Sequence, residues 1–187
     1  MIVDTGPIVA AALKRDVHHR AIIDLFTAAH LSGEQLLLPA PVVTEVCYML
    51  AREAGHRAEA ASLASLADGD FIVIDLVAED WRRSSALVTQ YADLPLGAVY
   101  ASVIAVAEPL GLTEIATVDR RHFSVVRPRH VDAFTSCPTD SSAEHLGVGT
   151  EASGQPSSPP AWDQTWCEML ATLATGGPSG PRTPATW

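Results

Sequence analysis

Four acidic residues are the side chains in this sequence best suited to chemistry. They are Asp4, Glu45, Asp93 and Asp119, and each is expected where a strand or helix ends at one edge of a sheet. Carboxylate oxygens are the hard ligands that Mg²⁺ or Mn²⁺ prefers, and one or two of them suffice when substrate phosphates complete the coordination. A metal ion held there would lower the pKa of a bound water and neutralise charge on a phosphodiester. The four acids therefore predict a metal-dependent hydrolytic site.

Each of these acids also has a purely structural interpretation when it is taken alone. An Asp that follows a strand commonly caps the next helix or forms a turn, which applies to Asp4, Asp93 and Asp119. Glu45 falls in the first turn of a predicted helix, where the helix dipole favours a carboxylate. Only the four acids together favour a metal site.

The elements that must position these acids alternate between strands and helices. Short apolar runs predict strands, those at 1–4 and 71–74 being buried, and the others at 35–38, 114–118, 125–126 and 131–134. Apolar residues at helical spacing predict helices at 7–13, 18–31, 42–53, 57–67, 78–92 and 98–110. This alternation indicates an α/β fold with a parallel, doubly wound sheet. In such sheets, sites form beyond the carboxyl ends of the strands.

Composition limits the class of protein. The chain has 187 residues, of which 48% are hydrophobic and 18% charged, as expected for one ordinary core. A formal net charge of −10 argues against a surface that coats nucleic acid. Three widely spaced cysteines predict neither a disulfide framework nor a zinc knuckle. Without a signal peptide or a membrane-length apolar stretch, we expect a cytoplasmic protein with no membrane partner.

The composition changes abruptly beyond Cys137. Residues 137–187 are rich in Ser, Thr, Pro and Gly, which is typical of a disordered tail, whereas residues 1–136 form the expected folded domain. Within the tail, a set of apolar side chains shares one helical face and predicts a short helix at 163–174. These side chains are Trp162, Trp166, Met169, Leu170 and Leu173. Such a helix either docks onto the core or a partner, or forms only transiently.

The local sequences around the acids occur in a characteristic order. They are IVDTGPI (2–8), PVVTEV (41–46), YADLPL (91–96), ASVIA (101–105) and IATVDRRHF (115–123). Together these motifs resemble those of the PIN-domain ribonucleases, especially the VapC-type toxins of bacterial toxin–antitoxin pairs, over residues 1–136.

This resemblance implies both a fold and an activity. The implied fold is an α/β/α sandwich with a central, mainly parallel sheet. The implied protein is an endoribonuclease that hydrolyses RNA with Mg²⁺ or Mn²⁺, forms a homodimer and is neutralised by a cognate antitoxin protein. Asp4, Glu45 and Asp119 match the first, second and fourth acids of the family's site.

The third acid of the family is missing. Tyr100 stands in its place, directly before the Ala101-Ser102 pair that opens the buried helix. A phenol, with a reference pKa of about 10, is a poor ligand for Mg²⁺ at neutral pH. Asp93, seven residues earlier, is the candidate substitute, so the metal is assigned to Asp4, Asp93 and Asp119. We therefore expect weakened metal binding and weakened or absent nuclease activity.

A basic cluster directly follows Asp119. Its members are Arg120, Arg121, His122, Arg127, Arg129 and His130. They are candidates for phosphate contacts, or equally for an ordinary solvated loop.

Three other functions are compatible with parts of the sequence. Asp4-Thr5-Gly6 also looks like the active-site triplet of aspartic proteases, but the predicted alternation of strands and helices argues against their β-rich, twofold site. Haloacid-dehalogenase-like phosphatases also begin with a strand and an Asp, but their second Asp is replaced here by Gly6. The main alternative is a non-catalytic PIN-like protein that binds antitoxin or RNA, and Tyr100 is the feature that favours it.

Overall fold

The computed structural model describes residues 1–138 except Pro95. Its strands are β1 (Ile2–Val3), β2 (Leu37–Pro39), β3 (Ile72–Ile74), β4 (Glu114–Ala116) and β5 (Thr135–Cys137). Its helices are α1 (Thr5–Ala12), α2 (His19–Ser32), α3 (Ala40–Ala54), α4 (His56–Asp68), α5 (Ala78–Gln90), α6 (Ala98–Leu110) and α7 (Arg120–Val125). The predicted tail helix at 163–174 lies outside the described residues.

The strands form one parallel sheet in the order β3-β2-β1-β4-β5. The central strand β1 places Ile2 opposite Leu37 on one side and opposite Ile115 on the other. Parallel neighbours need crossover connections, which the helices supply. The predicted α/β/α fold with a central parallel sheet is therefore confirmed. The carboxyl ends of β2, β1 and β4 lie side by side at one edge, which we call the carboxyl edge.

The core lies between the sheet and the helices packed on it. Ile2 and Val3 of β1 and Ile115 and Ala116 of β4 are fully buried. Helix α6 is buried over most of its length, and its observed bounds agree with the apolar run that predicts it at 98–110. No helix among residues 1–94 and 96–138 is both long and apolar enough to span a membrane.

The structure corrects the predicted strands near the end of the domain. Residue Val125 ends α7, residues 131–134 are irregular, and the last strand is instead Thr135–Cys137. The apolar residues that suggested strands there, Val126 and Phe134, are buried in the core from irregular backbone. Burial without strand pairing therefore explains the apolar pattern.

A second correction concerns β3, which the sequence predicts as a buried strand. It is an edge strand paired only with β2, and Ile72 and Val73 remain 38% and 41% exposed. An apolar run alone does not distinguish a central strand from an edge strand, because it carries no information on what covers the strand.

Candidate active site at the carboxyl edge

Three of the predicted acids follow three neighbouring strands. Asp4 comes directly after β1, and Asp119 comes three residues after β4. Glu45 lies on α3, which begins where β2 ends. Because β2, β1 and β4 are adjacent and parallel, their carboxyl ends direct the three acids to the same edge of the sheet.

Close backbone packing fixes the first and last of these acids relative to each other. The backbone N–H of Asp4 donates to the carbonyl oxygen of Ala116 (3.0 Å). Gly6, in the first turn of α1, lies so close to Val118 that any Cβ at this position would clash with its Cγ2 atom. A glycine here therefore allows α1 to start directly against the segment that leads into Asp119.

Two threonines orient the carboxylates. The hydroxyl of Thr117 donates to Oδ2 of Asp4 (3.0 Å) and accepts from the backbone N–H of Asp119 (3.0 Å), so it bridges the two acids. The backbone N–H of Thr117 donates in turn to the carbonyl oxygen of Cys137 (3.0 Å). The hydroxyl of Thr5 donates to Oε2 of Glu45 (2.5 Å). These contacts hold the acids in place through neutral donors.

The three acids act on one another electrostatically. Burial raises the pKa of Asp4 to about 6, although hydrogen bonds from Thr5 and Thr117 lower it in part. The charges of Glu45 and Asp119 raise it further. Nearby like charges disfavour ionisation, and a divalent cation between the carboxylates would relieve this repulsion.

Asp119 is held in a different electrostatic environment from Asp4. Burial alone would raise the pKa of Asp119, but hydrogen bonds from His122 lower it below its usual value. His122 Nδ1 lies 2.6 Å from Asp119 Oδ2, and the His122 backbone N–H lies 3.4 Å from Oδ1. Because an ionised carboxylate only accepts hydrogen bonds, the His122 ring must carry its proton on Nδ1.

Tyr100, on the first turn of α6, reaches the same group of acids. Its hydroxyl donates to Oδ2 of Asp119 (3.1 Å), and its ring stacks on His122 with centroids 4.8 Å apart. Burial raises its pKa, and the charges of Asp4, Asp119 and Glu45 raise it further. The phenol therefore stays protonated at neutral pH and acts as a donor at the site.

Asp93 is the fourth predicted acid, and none of the hydrogen bonds described above involves it. It is exposed, in the turn between α5 and α6. The carboxylates that raise the pKa of Tyr100 are Asp4, Asp119 and Glu45, and Asp93 is not among them. The structure thus brings three of the four predicted acids together, and the assignment of Asp93 to a metal stays a prediction.

The acids at the carboxyl edge meet part of what a divalent cation needs. Within residues 1–94 and 96–138, no group of three His, Cys, Asp or Glu side chains is already arranged as a metal site. The residue types nevertheless fit Mg²⁺ or Mn²⁺, because three carboxylates supply hard oxygen ligands and the charges of Glu45 and Asp119 raise the pKa of Asp4. Asp4 and Asp119 would hold the ion, with Asp119 first released from the Tyr100 and His122 donors.

Most of the basic cluster has structural contacts. Arg120 donates to the carbonyl oxygen of Pro138, and the Arg127 side chain donates to the carbonyl oxygens of Ser124 and Asp132. His130 Nε2 lies 2.6 Å from the carbonyl oxygen of Leu112. Within this cluster, His122 contacts Asp119, and its position three residues after that acid is the sequence signal for this role.

Comparison with known proteins covers the part of the chain that carries these acids. Residues 1–127 match the PIN domain family. The chain is 31% identical over 138 residues to Ribonuclease VapC26 of Mycobacterium tuberculosis, an alignment that spans 74% of this chain and 100% of that protein. The crystal structure of Mycobacterium tuberculosis VapC20, described as a Sarcin-Ricin loop cleaving toxin, resembles this fold with a TM-score of 0.54 and 20% identity. That match covers 61% of this chain and 85% of the other.

Proposed function

Because this chain belongs to the PIN domain family, we propose that it is a VapC-type endoribonuclease toxin that hydrolyses RNA phosphodiesters and is neutralised by a cognate antitoxin. The observation that carries the proposal is the convergence of Asp4, Glu45 and Asp119 at the carboxyl edge, where their charges interact. The reaction depends on Mg²⁺ or Mn²⁺, the enzyme works as a homodimer, and the RNA and antitoxin are its partners.

Each acid has a distinct role in this proposal. Asp4 and Asp119 would bind the metal, which supplies an activated water and neutralises phosphate charge when bound. Glu45, whose carboxylate accepts a hydrogen bond from Thr5, would accept a proton from the attacking water. Asp93 would join the ligands only if the turn before α6 moved toward the site.

Tyr100 weakens this site. Its hydroxyl and the His122 ring both donate to Oδ2 of Asp119, so a metal ion must compete with two hydrogen bonds for that oxygen. The position also lacks the negative charge that a carboxylate would add. We therefore expect lower metal affinity and slower RNA cleavage than in a relative with an acid at this position.

The alternative is a non-catalytic PIN-like protein that binds antitoxin or RNA without cleaving it. The Tyr100–Asp119 hydrogen bond is the observation that favours it, because it stabilises the site without a metal. The two functions differ in a single assay of RNA cleavage with Mn²⁺ against a chelated control.

The assay needs a matched inactive variant. Asp4→Asn keeps the shape of the side chain and can still accept from Thr117, but it removes the charge. A catalytic protein should lose at least about 100-fold in cleavage rate with this change, since general acid–base and metal effects each contribute about that much. Cleavage that persists in Asp4→Asn would come from a contaminant, and no cleavage by the wild type would establish the non-catalytic alternative.

A further inference from the structure

An apolar cleft lies on the side of the domain opposite the acids. Ile23 and Phe26 of α2 line it, together with Leu36 and Phe71, which directly precede β2 and β3. Including the part open to solvent, the cleft has a volume of about 400 Å³. Phe26 and Phe71 meet edge to face, with ring centroids 5.6 Å apart. Because its lining comes from the amino ends of the strands, the cleft is separate from the candidate active site.

We propose that this cleft binds the apolar face of the chain's own tail segment, residues 161–173. That segment carries five apolar side chains that would share one face of a helix: Trp162, Trp166, Met169, Leu170 and Leu173. An amphipathic segment with such anchors fits an apolar groove in the way that helices bind grooves in other proteins. The proposal does not depend on the nuclease assignment.

The chemistry of the two surfaces is complementary. The tail is otherwise rich in Ser, Pro and Gly, so this segment is its main source of apolar contact area. Trp162 and Trp166 are large aromatic anchors, which prefer desolvated pockets lined by other apolar groups.

The chain length outside the described fold allows this contact. Roughly 23 residues lie between Pro138 and the segment, and a chain of that length spans up to about 78 Å when extended. A domain of this size has a radius of gyration of about 14 Å. Half the circumference of such a domain is about 57 Å. The extended linker is longer than this path, so it can reach the cleft from the carboxyl edge, where β5 ends.

The same linker favours the chain's own segment over a second copy. A tethered segment is present at an effective concentration of about a millimolar, which a separate molecule must match. The alignment to VapC26 spans all of that protein but 74% of this chain, so this chain has sequence beyond its relative. In the proposed contact, part of that additional sequence packs against the chain's own domain.

Hydrogen–deuterium exchange on the full chain tests the contact. If the docked state holds about nine tenths of the molecules, cleft amides exchange roughly tenfold more slowly than in an undocked chain. The variant Trp166→Ser with Leu170→Asp should lose this protection at residues 23–30 and 71–73. Trp187→Ser changes the same residue type outside the segment and should leave the protection intact.

The reciprocal test changes the cleft. Ile23 is only half-buried, so Ile23→Gln should weaken docking while circular dichroism shows the fold retained. In a variant that also carries Trp81→Phe and Trp187→Phe, tryptophan fluorescence comes only from Trp162 and Trp166. Their fluorescence should shift to longer wavelength and become more accessible to acrylamide when Ile23→Gln is added.

Two results would overturn the proposal. The first is unchanged exchange at residues 23–30 when the segment is altered, with Trp162 and Trp166 already fully accessible to acrylamide in the wild type. The second is protection that disappears on dilution to about 1 µM, because a tethered contact is independent of protein concentration. That second result would assign the cleft to a segment from another copy.

Discussion

Tyr100 places a hydrogen-bond donor where a metal site needs an acceptor. Its hydroxyl lies 3.1 Å from Asp119 Oδ2, and its raised pKa keeps the proton on the phenol. The Tyr100 phenol and the His122 imidazole therefore both donate hydrogen bonds to the Asp119 carboxylate. At the scale of single residues, this is the contact that a cation bound at Asp119 would have to replace.

Replacing Tyr100 should change metal affinity in a predictable direction. Tyr100→Asp adds a carboxylate beside Asp119 and removes a competing donor, so we expect Mg²⁺ to bind about tenfold more tightly or better, a gain of about 1.4 kcal/mol. Isothermal titration calorimetry measures the affinity, and RNA cleavage should rise with it.

Tyr100→Phe is the matched control, because it removes the hydroxyl but keeps the ring packed on His122 and Phe123. It should free one lone pair of Asp119 and improve Mg²⁺ binding by less than Tyr100→Asp does. Equal affinity in all three proteins would show that position 100 does not face the metal.

The raised pKa of Asp4 predicts a pH-dependent stability in the metal-free protein. Between pH 3.8 and about 6, the folded protein holds a proton that the unfolded chain has released. The free energy of unfolding therefore falls as the pH rises through this window, by about 3 kcal/mol from this group. In Asp4→Asn this contribution is absent.

Thermal unfolding in a chelator measures this effect. The stability of Asp4→Asn relative to the wild type should rise by about 2.4 kcal/mol between pH 4 and pH 8. Titrating groups that do not interact with Asp4 cancel in that comparison. A stability difference between the two proteins that does not vary with pH would contradict the raised pKa of Asp4.

At the scale of elements, the contact between α1 and the end of β4 sets the geometry of the site. Gly6→Ala should force Val118 away, which costs about 1–3 kcal/mol for an overpacked position. It should also weaken Mg²⁺ binding, since Asp4 and Asp119 lie on either side of that contact.

A double variant tests whether the clash is the cause. Val118→Ala removes the Cγ2 atom that the new methyl would meet. Adding it to Gly6→Ala should restore most of the lost stability and affinity, so the two changes should be strongly non-additive. Additive losses, measured by denaturant unfolding, would place the effect of Gly6 elsewhere.

The elements that the sequence predicts best are those with a strong apolar pattern. Helix α6 is apolar on nearly every side, and its bounds follow from the sequence alone. Helix α7 was not predicted, because it has six residues and buries only Phe123. Strand β5 was not predicted, because Thr135, Ser136 and Cys137 form no apolar run. Pairing with β4, rather than burial, holds these residues in a strand.

The candidate site, like the fold, could be predicted only in part. Strand ends predict that Asp4 and Asp119 share an edge, because neighbouring parallel strands enforce it. The bond from Tyr100 to Asp119 and the stacking of Tyr100 on His122 were not predicted. These contacts depend on the side-chain rotamers of residues that are far apart in sequence. The spacing of residues along the chain carries no information about rotamers.

At the scale of the whole molecule, one buried ion pair joins three parts of the chain. Arg83 of α5 forms two hydrogen bonds with Glu108 of α6, at 2.8 and 2.7 Å, with the side chains 11% and 8% exposed. Glu108 also accepts from the backbone N–H of Arg129 (3.0 Å). The pair thus fixes the loop that follows α7 to the α5–α6 hairpin.

Breaking this pair should destabilise the domain. Glu108→Gln leaves the buried Arg83 without a counter-charge, which should cost about 3 kcal/mol in urea unfolding. Arg82→Met removes an exposed pair with Glu79 and should cost less than about 1 kcal/mol. If the two variants lose the same stability, the buried pair has no special role.

The bond between Thr117 and Asp4 also governs when the site exists during synthesis. It joins residues 113 positions apart, and Thr117 is itself bonded to Cys137 at the end of the fold. At about 5–20 residues per second, a ribosome finishes this stretch roughly 6–23 s after Asp4 is made. A nascent chain therefore carries separate acids but no assembled site until nearly the whole domain has been translated.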